Sequence, residues 1–228
     1  MSHSNNAQLD WNSIDTVLLD MDGTLLDLHF DFFFWTEHLP AKYSAAHNAE
    51  IKEAANYIAK RLKEKQRLLQ WYCTEYWSEQ FQLNIIEAQT EIKHLINERP
   101  QALTFLEQLA KQHKKPILVT NSDRPSIELK FANSAIAPYF DQVIASHDYG
   151  AAKEHQQFWL QLQQQLPFNP ETTLFIDDSE SVLDSAHQFG IKHLFSIEQP
   201  DSVQSRVSDS KYPMISNFLS LLPGNYNG

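Results

Sequence analysis

Apolar residues are arranged along this chain in two alternating patterns. Five short continuous runs, at 16–20, 116–120, 142–146, 173–177 and 192–197, read as buried strands, and each ends in polar residues. Helical patterns lie between most of them. Leu103, Leu106 and Leu109 share one face of 101–112, and Pro125 is placed to start a helix that runs through Phe131. Phe158, Leu162 and Leu166 stripe a third helix that Pro167 ends. Val182, Leu183 and Ala186 stripe a fourth, with Gly190 where a helix stop belongs. Strands alternating with helices predict an α/β fold, a parallel sheet with helices on both faces. In such sheets ligands bind beyond the carboxyl ends of the strands, where the strand order reverses.

Residues 28–100 break the alternation. They contain no convincing strand, and their helical patterns are long, notably 45–70 with Ile51, Ala55, Ile58, Leu62 and Leu69. This reads as an all-helical cap inserted between the first strand and the helix that would normally follow it. The expected division is a core of residues 10–27 and 101–228 and a cap of residues 28–100. The cap must hang over the polar end of the first strand. After Pro200 the chain is polar up to Tyr212, and then a short helix is expected around 215–222.

With 228 residues, 42% of them hydrophobic, the chain can support one well-cored domain and a smaller one. A formal net charge of −11 argues against binding to nucleic acid or an anionic membrane, both of which need a basic face. An anionic small molecule would have to be held by local positive groups. Cys73 is the only cysteine, so no internal disulfide can form and a reducing compartment is expected. Residues 1–10 are polar and lack the basic-then-apolar pattern of a signal peptide, and no apolar run reaches membrane-spanning length. A cytoplasmic location is the expectation.

The polar ends of the strands carry the chemistry. In Val17-Leu18-Leu19-Asp20-Met21-Asp22-Gly23-Thr24-Leu25 the strand presents two carboxylates spaced two apart, which the period-2 rule would point to the same side. Gly23 permits a tight exit, and Thr24 adds a hydroxyl at the mouth. Two crowded carboxylates repel unless a cation sits between them or one holds a proton. That suits a hard divalent ion and a nucleophile beside an acid/base, although such a run can also be a strand-ending turn or part of a calcium loop. Leu25 and Leu26 follow where a calcium loop would need oxygen ligands. Thr120-Asn121-Ser122 closes the second strand with groups that can hydrogen-bond an anion, and is also ordinary turn chemistry. Lys153, at or near the start of a helix after the third strand, could neutralise a phosphoryl group, or could be a solvated surface lysine. Asp177-Asp178 closes the fourth strand, and two carboxylates at a buried strand end are costly unless something positive meets them. A metal shared with Asp20 meets that need, while Ser179 can cap the following helix.

Taken in order, Asp-x-Asp-Gly-Thr, Thr-Asn, Lys and Asp-Asp, each at or just past a strand end, resemble the four motifs of the haloacid dehalogenase superfamily over residues 16–197. The resemblance implies a Rossmann-like core with Asp20 as nucleophile and Asp22 as general acid/base. It implies Thr120 as the phosphate-binding hydroxyl, with Asn121 beside it, and Lys153 as the motif lysine. It further implies a magnesium ion held by Asp20, the main-chain carbonyl of Asp22 and Asp178, with Asp177 one step removed from the ion. Residues 28–100 are placed like the helical cap of the superfamily's phosphatases. The chain departs from the pattern at Glu154, where many members carry proline. Dehalogenases and P-type ATPases lack an acid at the position of Asp22, so its presence implies phosphoryl transfer with rapid hydrolysis.

A finer resemblance, through Leu26-Asp27-Leu28-His29-Phe30-Asp31 and the stretch Trp71-Tyr72-Cys73-Thr74-Glu75-Tyr76-Trp77-Ser78-Glu79-Gln80, is to the bacterial GMP/IMP nucleotidase group. It implies a purine nucleoside monophosphate as substrate. Trp35, Trp71, Tyr72, Tyr76 and Trp77 crowd the insertion, and an aromatic face can stack on a purine, with Trp35 and Trp71 the first candidates. Arg61, Lys65 and Arg67 could help attract a phosphate. Aromatics at helical spacing are also ordinary core residues. The competing readings are a sugar-phosphate phosphatase or phosphomutase on the same core, and an inactive ligand-binding relative.

Overall fold

The structure is a computed structural model that describes residues 9–204 and 210–222. The polar residues 1–8, and 205–209 of the polar tail, lie outside the described residues. Six parallel strands form one sheet: β1 (Thr16–Leu19), β2 (Ile117–Thr120), β3 (Val143–Ala145), β4 (Thr173–Ile176), β5 (His193–Ile197) and β6 (Met214–Ile215), in the order β3-β2-β1-β4-β5-β6. The order reverses at β1, whose neighbours are β2 and β4, so the crevice for a ligand opens beyond Leu19.

Side chains alternate between the two faces of the sheet, and both faces are covered. Val17, Leu19, Leu118, Leu174 and Ile176 join one core. Leu18, Val119, Phe175 and Leu194 join the other. This two-sided burial explains why the strands read as unbroken apolar runs. The first core packs on α6 (Ala102–Lys111) and α7 (Arg124–Ala132), the second on α8 (Gln156–Gln165) and α9 (Glu180–Phe189). Asp123 accepts the Ser126 N–H at 3.2 Å to cap α7, and Gly190 ends α9 at φ +112°.

Residues between β1 and α6 are helical: α1 (His29–Phe33), a π-turn (Phe34–His38), α2 (Leu39–His47), α3 (Ile51–Lys65), α4 (Thr74–Phe81) and α5 (Ile85–Glu91). The single long helix expected over 45–70 is two. Asn48 adopts a left-handed conformation (φ +50°) and its N–H donates to the Ser44 carbonyl, which stops α2 before α3 begins. Within α3 the buried residues are Ala54 and Ile58, while Ile51 is exposed. The helix expected at 215–222 is likewise replaced. Ile215 pairs with Ile197 at the sheet edge, extended Asn217 interrupts the chain, and only a 3-10 turn (Phe218–Leu221) follows. The apolar spacing there reflects two separate docking points on the core. No helix among the described residues is long and apolar enough to cross a membrane.

The first core continues from the sheet into the insertion through Phe30, Phe34, Leu39, Ile58, Trp77, Phe81 and Ile85. Trp77 is fully buried, stacks on Phe81 with centroids 5.3 Å apart, and donates its indole N–H to the Trp71 carbonyl at 2.8 Å. Trp77→Ala is therefore expected to lower stability by about 3–5 kcal/mol, read as a shift in the urea midpoint. A shift below about 1 kcal/mol would mean that this core is not close-packed.

Candidate active site

Just past β1 the main chain of Asp20 still pairs with the sheet, its N–H donating to the Ile176 carbonyl at 3.0 Å. The chain then turns back on itself. Leu25 and Leu26 donate to the Met21 carbonyl at 2.9 and 2.8 Å, and Gly23 stands at φ +77°. A Cβ on Gly23 would lie 2.6 Å from Asp178 Oδ2, so glycine is required both by the backbone and by the carboxylate pressed against it. The strand ends at Leu19, so Asp20 and Asp22 stand in the turn beyond it, and each meets its own lysine.

Lys153 Nζ donates to Asp20 Oδ1, to Asp177 Oδ2 at 2.7 Å and to the Val119 carbonyl at 2.9 Å, which uses all three of its protons. It is buried, so the reading as a solvated surface lysine does not hold. It lies three residues before α8 rather than on the helix. Burial works against its charge, but Asp177 and Asp20 outweigh burial and hold it above the usual lysine range. Burial also raises the Asp20 carboxyl well above the ordinary carboxylate range, opposed by Lys153 and reinforced by Asp177, Asp178 and Asp22. Asp177 is raised for the same first reason, with Lys153 again opposing. The other Asp177 oxygen accepts the Ser179 N–H at 2.8 Å. The expected Ser179 cap is absent, since its hydroxyl meets Ser181 Oγ instead, at 3.1 Å.

The second lysine was not anticipated. Lys130 on α7 is 2% exposed, and its Nζ donates to Asp22 Oδ1 at 2.7 Å and to both Asp31 oxygens at 2.9 Å. Ser122 Oγ donates to Asp22 Oδ2 at 2.7 Å. A sequence signal existed, because Lys130 lies three residues after buried Ile127 and so falls in the apolar stripe of its helix.

Thr120 is buried and lines the site, its Oγ1 accepting the Ser122 N–H at 3.1 Å. Asn121 also lines it, with its carboxamide engaged at both ends: Oδ1 accepts the Lys153 N–H at 2.9 Å, and Nδ2 donates to Glu154 Oε2 at 3.0 Å. Glu154 accepts in addition the Tyr72 hydroxyl at 2.6 Å. Glu154, which stands where many members of the superfamily carry proline, thus joins the Thr120–Asn121 turn to the insertion. Burial first, then Glu154, pushes the Tyr72 phenol up and keeps it protonated. Thr74 N–H and Oγ1 both donate to Asp123 Oδ2 at 2.6 Å, and His155 Nε2 lies 2.9 Å from the Arg67 carbonyl. Thr24 is not at the mouth; it is fully buried.

A cavity of about 480 Å³ opens over this assembly. Its floor is Asp20, Asp22, Thr120, Lys153, Asp177 and Asp178, and its walls include Trp35, Trp71, Tyr72 and Phe32 from the insertion. Trp77 and Tyr76 do not line it: Trp77 belongs to the core and Tyr76 packs against it. Of the three basic candidates only Arg67 reaches it; Arg61 pairs with Glu64 and Lys65 sits over the Tyr76 ring. Gln89, missed by sequence reasoning, also lines the cavity; it is 2% exposed and its Oε1 has no hydrogen-bond partner among the described residues. Carboxylate oxygens of Asp20, Asp177 and Asp178 lie within 4.8 Å of one another, an all-oxygen donor set suited to a hard divalent cation.

Removing the Lys153 charge would leave Asp20 and Asp177 buried without their shared cation. Lys153→Met is expected to cost about 3–5 kcal/mol at pH 7 in chelator. Both carboxyls have folded-state pKa values above their unfolded ones. Losing the lysine, which opposes that rise, pushes both carboxyls up further, so the penalty is largest at high pH, where both must be buried ionised, and shrinks as falling pH protonates them. Urea unfolding of the variant and the parent should show the gap narrowing as the pH is lowered; a constant gap would contradict this electrostatic account.

Residues 14–190 match the family model described as haloacid dehalogenase-like hydrolase. Over 218 residues the chain is 37% identical to the GMP/IMP nucleotidase YrfG of Escherichia coli (strain K12), covering 96% of this chain and 98% of the relative. The GMP/IMP nucleotidase YrfG of Shigella flexneri matches to the same extent. The crystal structure of a HAD phosphatase from Thermococcus onnurineus superposes with a TM-score of 0.73 at 22% identity, over 91% of this chain and 96% of that one. The strand order, the acidic turn after β1 and the near-complete alignment with these relatives agree: the chain belongs to the haloacid dehalogenase-like hydrolases.

Proposed function

We propose that this phosphoric monoester hydrolase acts on purine nucleoside 5'-monophosphates such as GMP and IMP, through an aspartyl-phosphate. The observation that carries the reading is the cavity itself: a buried carboxylate and lysine form its floor, and an aromatic wall rises from the insertion. The name of the 37% identical relatives supports the choice of base.

In this reading Asp20 attacks phosphorus, and water later hydrolyses the ester. Asp22 protonates the leaving oxygen and then deprotonates water. Lys153 and the Thr120 hydroxyl hold the phosphoryl oxygens, and Asn121 sets the loop that carries Lys153. Magnesium fits the donor set; Asp20, Asp178 and the Asp22 main-chain carbonyl would hold it, with Asp177 supporting them. When bound it would neutralise charge on the phosphoryl oxygens. Residues 28–100 form the selective cap over a core of residues 10–27 and 101–228. Trp35 and Trp71 stack on the base, and Gln89 offers a donor and an acceptor to its edge. A lone cysteine supports a reducing, cytoplasmic setting.

Asp20→Asn should abolish turnover with the fold retained, a fall of about 10⁴-fold or more. Asp22→Asn should lower kcat by about 10²–10⁴-fold with little change in magnesium affinity. Asp178→Ala should raise the magnesium concentration for half-maximal activity more than Asp177→Ala does, and chelator should stop the reaction. Near-normal turnover in Asp20→Asn would remove the covalent route, and full activity in chelator would remove the metal.

A panel of monophosphates tests the substrate. GMP and IMP should exceed ribose 5-phosphate and glucose 6-phosphate in kcat/KM. Trp71→Ala or Trp35→Ala should reduce that preference by about 1–3 kcal/mol while sparing a generic aryl phosphate. Sugar phosphates that match or beat the nucleotides would overturn the nucleotidase reading and leave the phosphatase standing.

A further inference from the structure

Among the described residues Lys130 and Lys153 are the buried lysines, and the proposed chemistry gives Lys130 no task. Its ammonium bridges two carboxylates far apart in the chain, Asp22 beside β1 and Asp31 on α1, and it lies 5.4 Å from the centre of the Phe30 ring. Stability alone is a poor reason for such a group. A buried ion cluster can often be replaced by apolar side chains of similar volume without loss, because burial costs the charges much of what their attraction returns. Here one member of the cluster lines the floor of the cavity, and another belongs to the first helix of the insertion.

The Asp22 carboxylate is held at both oxygens. Lys130 takes Oδ1 and the Ser122 hydroxyl takes Oδ2, and these partners come from α7 and the turn that precedes it. Asp31 then occupies the remaining donors of Lys130 with both of its oxygens. The direction of Asp22 is thereby tied to the position of α1, although Asp22 and Asp31 are joined only through the lysine.

We infer that Lys130, anchored by Asp31, is a positioning residue for Asp22: it sets the aim of the Asp22 carboxyl when α1 lies over the site. This rests on the reading of Asp22 as the acid/base. The lysine touches neither the phosphoryl group nor the base, so its loss should be felt only where Asp22 acts.

Leaving-group dependence reads that action directly. A nucleotide expels an alkoxide that needs a proton, whereas p-nitrophenyl phosphate expels a phenolate that needs little help. Because Asp22 also acts as base in the later hydrolysis, which both substrates share, the test reads the first step alone. In single-turnover measurements on the full-length enzyme, Lys130→Met should slow nucleoside release from GMP, or alcohol release from whichever alkyl phosphate is hydrolysed best, by about 10²-fold, within the range that general acid catalysis supplies. Release of p-nitrophenolate from p-nitrophenyl phosphate in the same step should slow by less than about 5-fold, and inhibition by inorganic phosphate should be unchanged. Lys130→Arg should recover part of the lost rate on the alkyl ester. Asp31→Asn, which preserves shape and leaves Lys130 paired with Asp22, should show the same selective pattern more weakly, and it carries the test if Lys130→Met does not fold. Equal losses on both substrates, or none, would overturn the inference. Asp22→Asn measured in the same single-turnover step on the same pair separates the two levels. If it is selective and the Lys130 and Asp31 variants are not, the inference alone falls; if it is not selective, the acid/base reading falls and takes this inference with it.

Discussion

A single ammonium group ties together the ends of three neighbouring strands, and the site is assembled around it. Lys153 donates to the Val119 carbonyl of β2, to the Asp20 carboxylate at the end of β1 and to the Asp177 carboxylate at the end of β4. Burial raises both carboxyls, so without a cation these strand ends would repel or be forced to take up protons. The three strands are adjacent only because the sheet order reverses at β1. The topology therefore brings the charges together, and the lysine makes their proximity tolerable.

The insertion is joined to this assembly by polar links as well as by a shared apolar core. Tyr72 reaches Glu154, Thr74 reaches Asp123, the Arg67 carbonyl meets His155, and Asp31 meets Lys130. Glu154 is adjacent to Lys153 and also holds Asn121, so the contact that seats the aromatic wall shares a loop with the lysine on the floor. The two sides of the cavity are thus joined through one or two hydrogen bonds. Asp123, Lys130 and Lys153 are buried, where such bonds are strongest and most costly to leave unmade, while Glu154 and Asp31 are half-buried.

Much of this was legible in the chain. The strands at 16–20, 116–120, 142–146, 173–177 and 192–197 were readable because each carries a short apolar run, most nearly unbroken in β1, β2 and β4, which are the most deeply buried. Asp20, Thr120, Lys153 and Asp177-Asp178 were readable because each directly follows a strand or a strand-linked turn. Reading failed where local spacing was ambiguous. The 45–70 pattern ignored Asn48, whose left-handed turn divides the helix, and the 215–222 pattern fused a strand pairing with a separate 3-10 turn. β1 stops at Leu19, so Asp20 and Asp22 stand in the turn beyond it, where the fold and not the strand period sets the partner of each.

The sequence by itself determined the fold class, the order of the motifs and the residue types that stand at the strand ends, because those follow from periodicity and short-range spacing. Only the tertiary structure decided which charges meet. Lys130 and Asp22 are 108 positions apart, Lys153 and Asp20 are 133 apart, and Tyr72 and Glu154 are 82 apart. No local pattern encodes such partners, since each exists only once the sheet order and the folded insertion have brought distant segments to one cavity.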